Sequence, residues 1–418
     1  MKILRDYQKK LSKQGLEILG LRKLVYLAME VRTGKTATAL QIAKLYGAKK
    51  VLFLTKKKAI SSIESDYDDF GFAFDLLVTN NESLHLVSDN DFDVIILDEH
   101  HRNGAFPKPN QVTKLIKERF SHLPMIFLSG TPTPESYSQI YHQFWVSNYS
   151  PFAPWKNFYA WAKDFVNVKE RNLGYAKVND YSNAKQSLIK DFLVDRMISF
   201  TQEQAGFTSS VSEHILYCPM KNVTYNLINR LKRDKVVEGK EEVILADTAV
   251  KLMGKVHQLC SGTVKFESGN AKVIDDSKAQ FIKSRFAGEK IAIFYKFSAE
   301  YEMLKEVFKD NLTNDLQVFN NTNKNIALQI VSGREGISLK AAKYLVYANI
   351  DFSSVSYIQS KDRMTTHDRP SNDVYWVFSV GGIEENIYKA VQNKKDYTLS
   401  HFQRDDRATN TIKSYQKA

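Results

Sequence analysis

Cysteine is nearly absent from this sequence. Cys218 and Cys260 are the only two cysteines among 418 residues. Two cysteines that lie 42 positions apart provide neither a disulfide framework nor a cysteine-rich zinc-binding pattern. This cysteine usage is typical of proteins that work in a reducing compartment.

Long apolar runs are missing as well. The beginning of the chain, Met1 to Asp6, has no apolar signal core, and no apolar run approaches the length of a membrane span. Hydrophobic residues make up 43% of the chain and charged residues 25%, as in soluble globular proteins. We therefore expect a soluble, intracellular protein of the cytoplasm with no membrane partner.

Acidic residues are fewer than basic ones. The chain has 59 Lys and Arg against 47 Asp and Glu, which gives a net charge of +12. This excess favours a polyanionic partner such as nucleic acid. A surface that is basic only for solubility is the alternative.

A glycine is missing from an otherwise recognisable phosphate-binding loop. A buried strand (Leu24 to Ala28) and a helix (Ala37 to Ala43) are predicted on either side of a Gly-Lys-Thr sequence. In such a loop the backbone N–H groups face the phosphates, the lysine supplies a charge and the threonine a hydroxyl for Mg²⁺. The usual pattern has a further glycine where this chain has Met29. The predicted nucleotide-binding residues of the loop, of which Thr36 is also a metal ligand, are Arg32, Thr33, Gly34, Lys35 and Thr36.

A second buried strand, Lys50 to Thr55, follows that helix. Strand, helix and strand with apolar runs predict a parallel, doubly wound sheet. Lys56, Lys57 and Lys58 come directly after the strand, at the end where such sheets bind ligands. We predict that they contact a nucleic-acid backbone, and a solvated run of charge is an equally good interpretation.

Two acidic residues end a third buried strand, Phe92 to Leu97. Carboxylates in this position are costly unless they serve a cation or a reaction. The chemistry assigns Asp98 to Mg²⁺ and Glu99 to polarising an attacking water.

Three segments in this order resemble motifs I, II and III of the superfamily-two helicases and translocases. They are Gly34-Lys35-Thr36, Asp98-Glu99-His100-His101 and Ser129-Gly130-Thr131-Pro132. The second segment is similar to the family's Asp-Glu-Ala-His box, with His100 in place of the alanine. Thr79 to Leu84 resembles the segment that precedes motif II in the Swi/Snf branch.

The resemblance implies roles for residues around these motifs. Tyr7-Gln8 is similar to the family's adenine-reading element, and the carboxamide of Gln8 offers the donor and the acceptor that adenine requires. His101, Ser129 and Thr131 are implied to couple the ATP site to the neighbouring domain.

The alternation of strands and helices restarts in the second half of the chain. Lys290 to Tyr295 predicts a strand and Ser298 to Phe308 a helix, followed by strands at Ala327 to Val331 and Tyr344 to Tyr347. This pattern predicts a second α/β domain.

Ser332 to Leu339, between the last two predicted strands, resembles motif V. In that motif paired glycines let a loop approach both nucleotide and nucleic acid. The resemblance implies that Gly336 lies at the nucleotide and that Ser332 and Arg334 contact nucleic acid.

Tyr357 to Arg363 resembles motif VI. The resemblance implies that Gln359 lies near the nucleotide or the seam between the domains and that Arg363 is the arginine finger. A guanidinium from the second domain stabilises charge on the γ-phosphate only when the cleft closes, which makes hydrolysis depend on domain closure. The family's second motif VI arginine is Thr366 here, and Arg369 is the candidate replacement.

We therefore expect the α/β class, with two RecA-like, doubly wound parallel-sheet domains in tandem. The N-terminal domain, residues 1–208, includes a helical, aromatic-rich segment at about 137–200. We interpret its aromatic side chains as core and not as base-stacking surfaces. The C-terminal domain, residues 209–400, includes a helical insertion at about 220–275, and a polar tail covers 401–418.

The motifs together span about residues 4–370. They imply a monomeric, ATP- and Mg²⁺-dependent DNA translocase or helicase. It would couple ATP hydrolysis in the cleft between the domains to movement on, or remodelling of, double-stranded or branched DNA. The compact size suits a phage or bacterial member, which in a virus would act in the host cytoplasm.

Two other functions stay open. One is an RNA helicase of the Asp-Glu-x-His group. The other is a nucleic-acid-binding scaffold that has lost turnover, which Met29 and Thr366 would support. What speaks against the scaffold is the intact set of Lys35, Asp98, Glu99 and Arg363.

Overall fold

A computed structural model describes most of the chain. The described residues are 2–88, 91–172, 177–206, 210–239, 242–333, 337–361, 363–364, 369 and 371–393. The chain divides into two compact units, Met1–Thr208 and Ser209–Ala418. Each unit is described by itself, and the predicted polar tail at 401–418 lies outside the described residues.

The first unit alternates strands with helices. Its strands are β1 Leu24–Met29, β2 Lys50–Thr55, β3 Asp75–Asn80, β4 Val94–Leu97, β5 Met125–Leu128, β6 Lys169–Asn172, β7 Lys177–Asp180 and β8 Met197–Phe200. Its α-helices are α1 Asp6–Arg22, α2 Lys35–Tyr46, α3 Ile60–Asp69, α4 Gln111–Phe120, α5 Ile140–Trp145, α6 Phe158–Phe165 and α7 Gln186–Leu193. Short 3₁₀ turns cover Lys57–Ala59, Asn81–Leu86, His100–Asn103 and Tyr137–Gln139.

Six of these strands form one parallel sheet in the order β3-β2-β4-β5-β1-β8. The central strands β4, β5 and β1 are apolar along their whole length because helices cover both faces. Alternate side chains of β1 lie on opposite faces of the sheet. Tyr26 packs with α4 to α7 on one face, whereas Val25 and Leu27 pack with α1 and α2 on the other. The carboxyl ends of the strands therefore share one edge, which is where parallel sheets bind ligands.

The aromatic-rich segment was predicted to be helical core. The structure has helices α5, α6 and α7 in this segment, and Phe158, Trp161 and Phe165 are buried. The segment also contains β6, β7 and β8, so the description as helical was incomplete. The four residues of β8 are too few to give a pattern of their own, and only pairing with β1 makes them a strand.

The second unit is built on the same plan. Its strands are β9 Ser210–Cys218, β10 Val236–Glu238, β11 Val243–Leu245, β12 Thr263–Lys265, β13 Ala271–Val273, β14 Ile291–Tyr295, β15 Leu312–Thr313, β16 Asn325–Gln329, β17 Tyr344–Tyr347 and β18 Ser371–Ser379. Its α-helices are α8 Asn222–Asp234, α9 Ala249–Cys260, α10 Ser277–Arg285, α11 Ser298–Phe308, α12 Leu316–Asn321, α13 Ile330–Gly333, α14 Ser354–Ser360 and α15 Glu384–Gln392, and Lys309–Asn311 forms a 3₁₀ turn.

A second six-stranded parallel sheet runs in the order β15-β16-β14-β17-β18-β9. Strands β14 and β17 lie in its middle and are almost wholly buried. Strand β9, the first in the chain, forms one edge and pairs with β18 over nine residues, from Ser210 to Cys218. The two sheets confirm the predicted fold class of two doubly wound α/β units.

Two details of the second unit differ from the sequence prediction. The insertion contains the predicted helices α8 and α9, but β10 pairs with β11 and β12 with β13 as small antiparallel ribbons. The strand predicted to end at Val331 ends at Gln329, and Ile330 starts the short helix α13. Three-residue strands and a four-residue helix give no periodicity that a sequence pattern could detect.

Within the described part of the chain, every helix is too short or too polar to cross a lipid bilayer.

His100, which replaces the alanine of the motif II box, is a packing residue of the first unit. Its ring is fully buried and stacks on Phe127 with 3.9 Å between ring centroids. Nε2 lies 2.7 Å from the carbonyl of Gln143, and Nδ1 lies 3.1 Å from the amide nitrogen of Asn103. One ring nitrogen must donate and the other accept, so this network suits the neutral ring. Burial lowers the pKa of His100 from the usual 6.5 to about 3.

The buried histidine predicts a loss of stability in acid. Because the pKa of His100 is lower in the folded protein, the unfolded chain binds the proton first, and stability is lost as pH falls below 6.5. Between pH 7.5 and pH 5 this loss is about 2 kcal/mol. Urea unfolding at both pH values measures the free energy of unfolding. Between pH 7.5 and pH 5, His100→Gln is expected to lose less of this free energy than the wild type, by about the same 2 kcal/mol. His85→Gln, at an exposed position of the same unit, is the control. If the free energy of unfolding depended on pH equally in His100→Gln and the wild type, His100 would not be a buried, neutral ring.

Candidate functional site

The phosphate-binding loop links β1 to α2. Its last residue, Gly34, has φ +79° and directly precedes the first helical residue, Lys35. An internal hydrogen bond holds the loop, because Thr33 donates its hydroxyl to the carbonyl of Glu30 at 2.7 Å. The Lys35 ammonium lies 3.4 Å from the same carbonyl. The start of α2 therefore has both its free backbone N–H groups and the charge of Lys35. Phosphate binding uses this combination.

Met29 stands where the usual loop has its first glycine. It is the last residue of β1, and its side chain is wholly buried in the core between the sheet and helices α1 and α2. The loop therefore begins one residue later, at Glu30, and the absent glycine leaves Gly34 and Lys35 in place.

The start of helix α1 packs against this loop. A Cβ atom on Gly34 would lie 2.0 Å from Nε2 of Gln8 and would displace that side chain, and the positive φ of Gly34 also favours glycine. Gln8 is buried, and its Oε1 accepts from the backbone N–H of Arg5 at 2.8 Å. Tyr7 donates its hydroxyl to the carbonyl of Thr33 at 3.2 Å. The structure thus brings the predicted adenine-reading residue to the loop, and its contact with adenine stays a prediction.

The acidic pair follows β4 at the same edge of the sheet. Asp98 accepts a hydrogen bond from the hydroxyl of Thr55 at 2.8 Å, and Glu99 has a left-handed backbone with φ +47°. Such a conformation is unfavourable for a residue with a side chain and is often found at functional sites. Burial, and then the charge of Glu99, raises the pKa of Asp98 to about 6, while the Lys35 charge partly opposes the shift. Thr55 is a site residue that the sequence interpretation missed, although a hydroxyl at the end of a buried strand was a usable signal.

The predicted metal ligands are the Thr36 hydroxyl and the Asp98 carboxylate, which are oxygen donors of the kind Mg²⁺ prefers. The pKa of Asp98 is raised chiefly by burial, and a bound cation would stabilise the charged form of this carboxylate. Among the described residues no group of three or more His, Cys, Asp or Glu could hold a metal. A nucleotide-bound Mg²⁺ needs no such group, because phosphate oxygens supply further ligands. The residues present therefore fit this metal.

A chain of polar contacts joins the acidic pair to the loop after β5. Nδ1 of His101 lies 3.3 Å from Oε2 of Glu99 and 2.9 Å from Oγ of Ser129. Ser129 Oγ in turn accepts from the backbone N–H of Thr131 at 3.1 Å. The three residues assigned to coupling from the sequence are thus connected to Glu99 within the first unit.

The three lysines predicted to bind nucleic acid follow the carboxyl end of β2. Lys57 and Lys58 are exposed in the 3₁₀ turn that begins there, and Lys56 precedes it. They lie at the same edge of the sheet as the phosphate loop and the acidic pair, because β2 is parallel to β4.

The second unit places the motif VI residues on and after helix α14. Gln359 is buried in the last turn of the helix, and Arg363 donates from Nε to the carbonyl of Gln359 at 2.8 Å. Arg369 donates to the main-chain carbonyls of Lys340, Ala342 and Lys343, which holds its guanidinium within the fold of this unit.

Not every predicted residue of the second unit is described. Ser332 lies in helix α13, at its exposed surface, and not in a loop as predicted. Arg334, Gly336 and Thr366 lie outside the described residues.

A family model and two solved structures match this chain. Residues 24–264, more than half of the chain, match the family model described as the SNF2-related domain. No curated protein sequence matches the chain.

Two solved structures from Sulfolobus solfataricus are similar. One is the SWI2/SNF2 ATPase core in complex with dsDNA, at 15% identity and TM-score 0.43, with 98% of this chain and 96% of that chain covered. The other is the SWI2/SNF2 ATPase core domain, at 16% identity and TM-score 0.43, with 94% and 89% covered. The predicted resemblance to the Swi/Snf branch of superfamily two is confirmed by the family match, and the chain belongs to the SNF2-related domain family.

Proposed function

We propose that this protein is an ATP-dependent DNA translocase that couples ATP hydrolysis to movement on, or remodelling of, double-stranded or branched DNA. One observation carries the proposal. The phosphate loop with Lys35, the acidic pair Asp98 and Glu99, and the His101 to Ser129 contact lie at one edge of one parallel sheet. Membership of the SNF2-related domain family supports it.

In the proposed ATP site each residue of the first unit has one task. Lys35 binds the β- and γ-phosphates as a point charge, and Gln8 contacts the adenine. Thr36 and Asp98 hold Mg²⁺, which when bound neutralises phosphate charge. Glu99 orients the attacking water and accepts its proton.

Arg363 is proposed to complete this reaction from the second unit, with Gln359 and Gly336 near the nucleotide. A guanidinium that stabilises transition-state charge on the γ-phosphate makes turnover depend on the arrangement of the second unit. The polar chain from Glu99 through His101 to Ser129 offers a path by which the phosphate state changes the loop after β5.

The proposed DNA contacts are to phosphates and carry little sequence preference. Lys56, Lys57 and Lys58 are the candidates in the first unit, and Ser332 and Arg334 in the second. The net charge of +12 supports a polyanionic partner.

ATP hydrolysis at saturating duplex DNA tests the proposed roles of the first unit. Glu99→Gln is expected to lower kcat by about 100-fold or more while ATP still binds, because it removes a general base. Lys35→Ala is expected to lose both binding and turnover, because it removes the phosphate charge. Glu118→Gln, an exposed site on α4, is the matched control and should hydrolyse ATP like the wild type. Wild-type turnover in both Glu99→Gln and Lys35→Ala would refute the proposed ATP site.

The salt dependence of DNA binding tests the lysine cluster. Each phosphate contact contributes about 0.9 to the slope of log affinity against log salt. The triple variant Lys56→Ala, Lys57→Ala, Lys58→Ala should therefore bind duplex DNA more weakly and show a slope smaller by about 2–3. Fluorescence anisotropy between about 50 and 200 mM salt measures this.

The control for that experiment removes the same charge elsewhere in the first unit. Lys10, Lys13 and Lys114 are exposed, and their triple alanine variant is expected to keep the wild-type slope. Equal slopes for the two triple variants would show that the cluster at 56–58 has no special contact with DNA.

A further inference from the structure

Glu213, on the edge strand β9 of the second unit, accepts four hydrogen bonds. Oε1 accepts from the Tyr357 hydroxyl at 2.8 Å and from the Lys361 ammonium at 3.0 Å. Oε2 accepts from the Trp376 indole N–H at 2.9 Å and from the Tyr388 hydroxyl at 3.0 Å. The carboxylate, whose side chain is 15% exposed, is therefore fully engaged.

The four donors come from three different elements. Tyr357 lies on α14 and Lys361 directly follows that helix, whereas Trp376 belongs to β18 and Tyr388 to α15. The aromatic donors also pack on one another, with Tyr357 and Trp376 stacked at 5.6 Å between ring centroids. One carboxylate thus ties α14 to the sheet and to α15.

The hydrogen bonds of Glu213 hold the helix that directly precedes Arg363, the proposed arginine finger. Arg363 is two residues beyond Lys361, and it donates from Nε to the carbonyl of Gln359 in the last turn of α14. A second contact holds the same turn, because Tyr347 of β17 donates its hydroxyl to Oγ of Ser360 at 2.5 Å. The position of Arg363 is therefore set by how α14 is held.

Stability alone gives no reason for this arrangement. Only one of the four donors, Lys361, carries a charge that compensates the carboxylate. Replacement of a buried ion pair by well-packed apolar side chains is often neutral or stabilising. What four directed hydrogen bonds add is a single orientation of the helix, since each donor must meet its oxygen within a narrow range of distance and angle.

We infer that Glu213 is a positioning residue for Arg363, which it orients through helix α14. The inference rests on the proposed function, because it assumes that Arg363 acts on ATP. It adds that turnover depends on the strand with which the described part of the second unit begins, since β9 starts at Ser210. Glu213 itself contacts neither substrate nor metal in this account.

The test compares Glu213→Gln with a control on the same pair of strands. His214 and Asp373 form an exposed pair at 2.8 Å between β9 and β18, so Asp373→Asn is the matched control. Glu213→Gln is expected to lower kcat at saturating duplex DNA by about 10-fold or more, as misplaced catalytic groups do. KM for ATP should change less than about twofold, because the phosphate loop lies in the first unit. Asp373→Asn should match the wild type in both constants.

A second pair of variants tests the same inference with Glu213 in place, in case Glu213→Gln does not fold. Tyr357→Phe and Tyr388→Phe each remove one phenol donor from the same carboxylate, the first from α14 and the second from α15. The inference predicts a larger loss of kcat in Tyr357→Phe at similar thermal stability. Equal losses of kcat that follow the losses of stability would overturn it and leave Glu213 a structural residue.

A double variant separates this inference from the proposed function. If Glu213 acts only through Arg363, Glu213→Gln together with Arg363→Ala should be no slower than Arg363→Ala alone. Independent, multiplying losses would overturn the inference. So would normal turnover in Glu213→Gln when Arg363→Ala is inactive, and then the proposed function survives. Normal turnover in Arg363→Ala would instead remove the arginine finger from the proposed function, and this inference with it.

Discussion

Parallel pairing of β4, β5 and β1 is the constraint on which the candidate site depends. Because the three strands run in the same direction and lie side by side, the loops that follow them emerge at one edge of the sheet. Those loops carry Lys35, Asp98 and Ser129. Pairing of these strands, with the apolar cores on both faces of the sheet, thus brings together residues that are far apart in the sequence.

Polar side chains then refine this arrangement within each unit. In the first unit Thr55 holds the Asp98 carboxylate, and His101 bridges Glu99 and Ser129. In the second unit the carboxylate of Glu213 collects four donors around α14. Both networks are buried or nearly so, where an unmet hydrogen bond is costly, and each therefore favours one orientation of its members.

Much of this was predictable from the sequence, for a physical reason. Strands β1, β2, β4, β5, β14 and β17 are buried on both faces and so appear as continuous apolar runs. The phosphate loop and the acidic pair could be recognised because their chemistry requires particular residues at adjacent positions. Met29 looked like a defect in the loop, and the structure shows it as a core residue that ends β1.

What escaped prediction depends on tertiary contacts. The short strand β8 exists only by pairing with β1, and β10 to β13 are three-residue strands. Thr55 and Glu213 are single polar residues whose partners lie 43 and 144–175 positions away in sequence. Thr55 is marked only by its place at the end of a buried strand, and no local pattern marks Glu213, because the significance of both is set by which distant side chains the fold brings to them.

Steady-state ATP turnover by the wild-type protein on single-stranded, duplex, forked and four-way DNA and on RNA of equal length tests the central claim most directly. A DNA translocase is expected to turn over slowly without nucleic acid and several-fold or more faster with duplex or branched DNA than with RNA. Turnover that is the same with and without DNA, or that is highest with RNA, would contradict it.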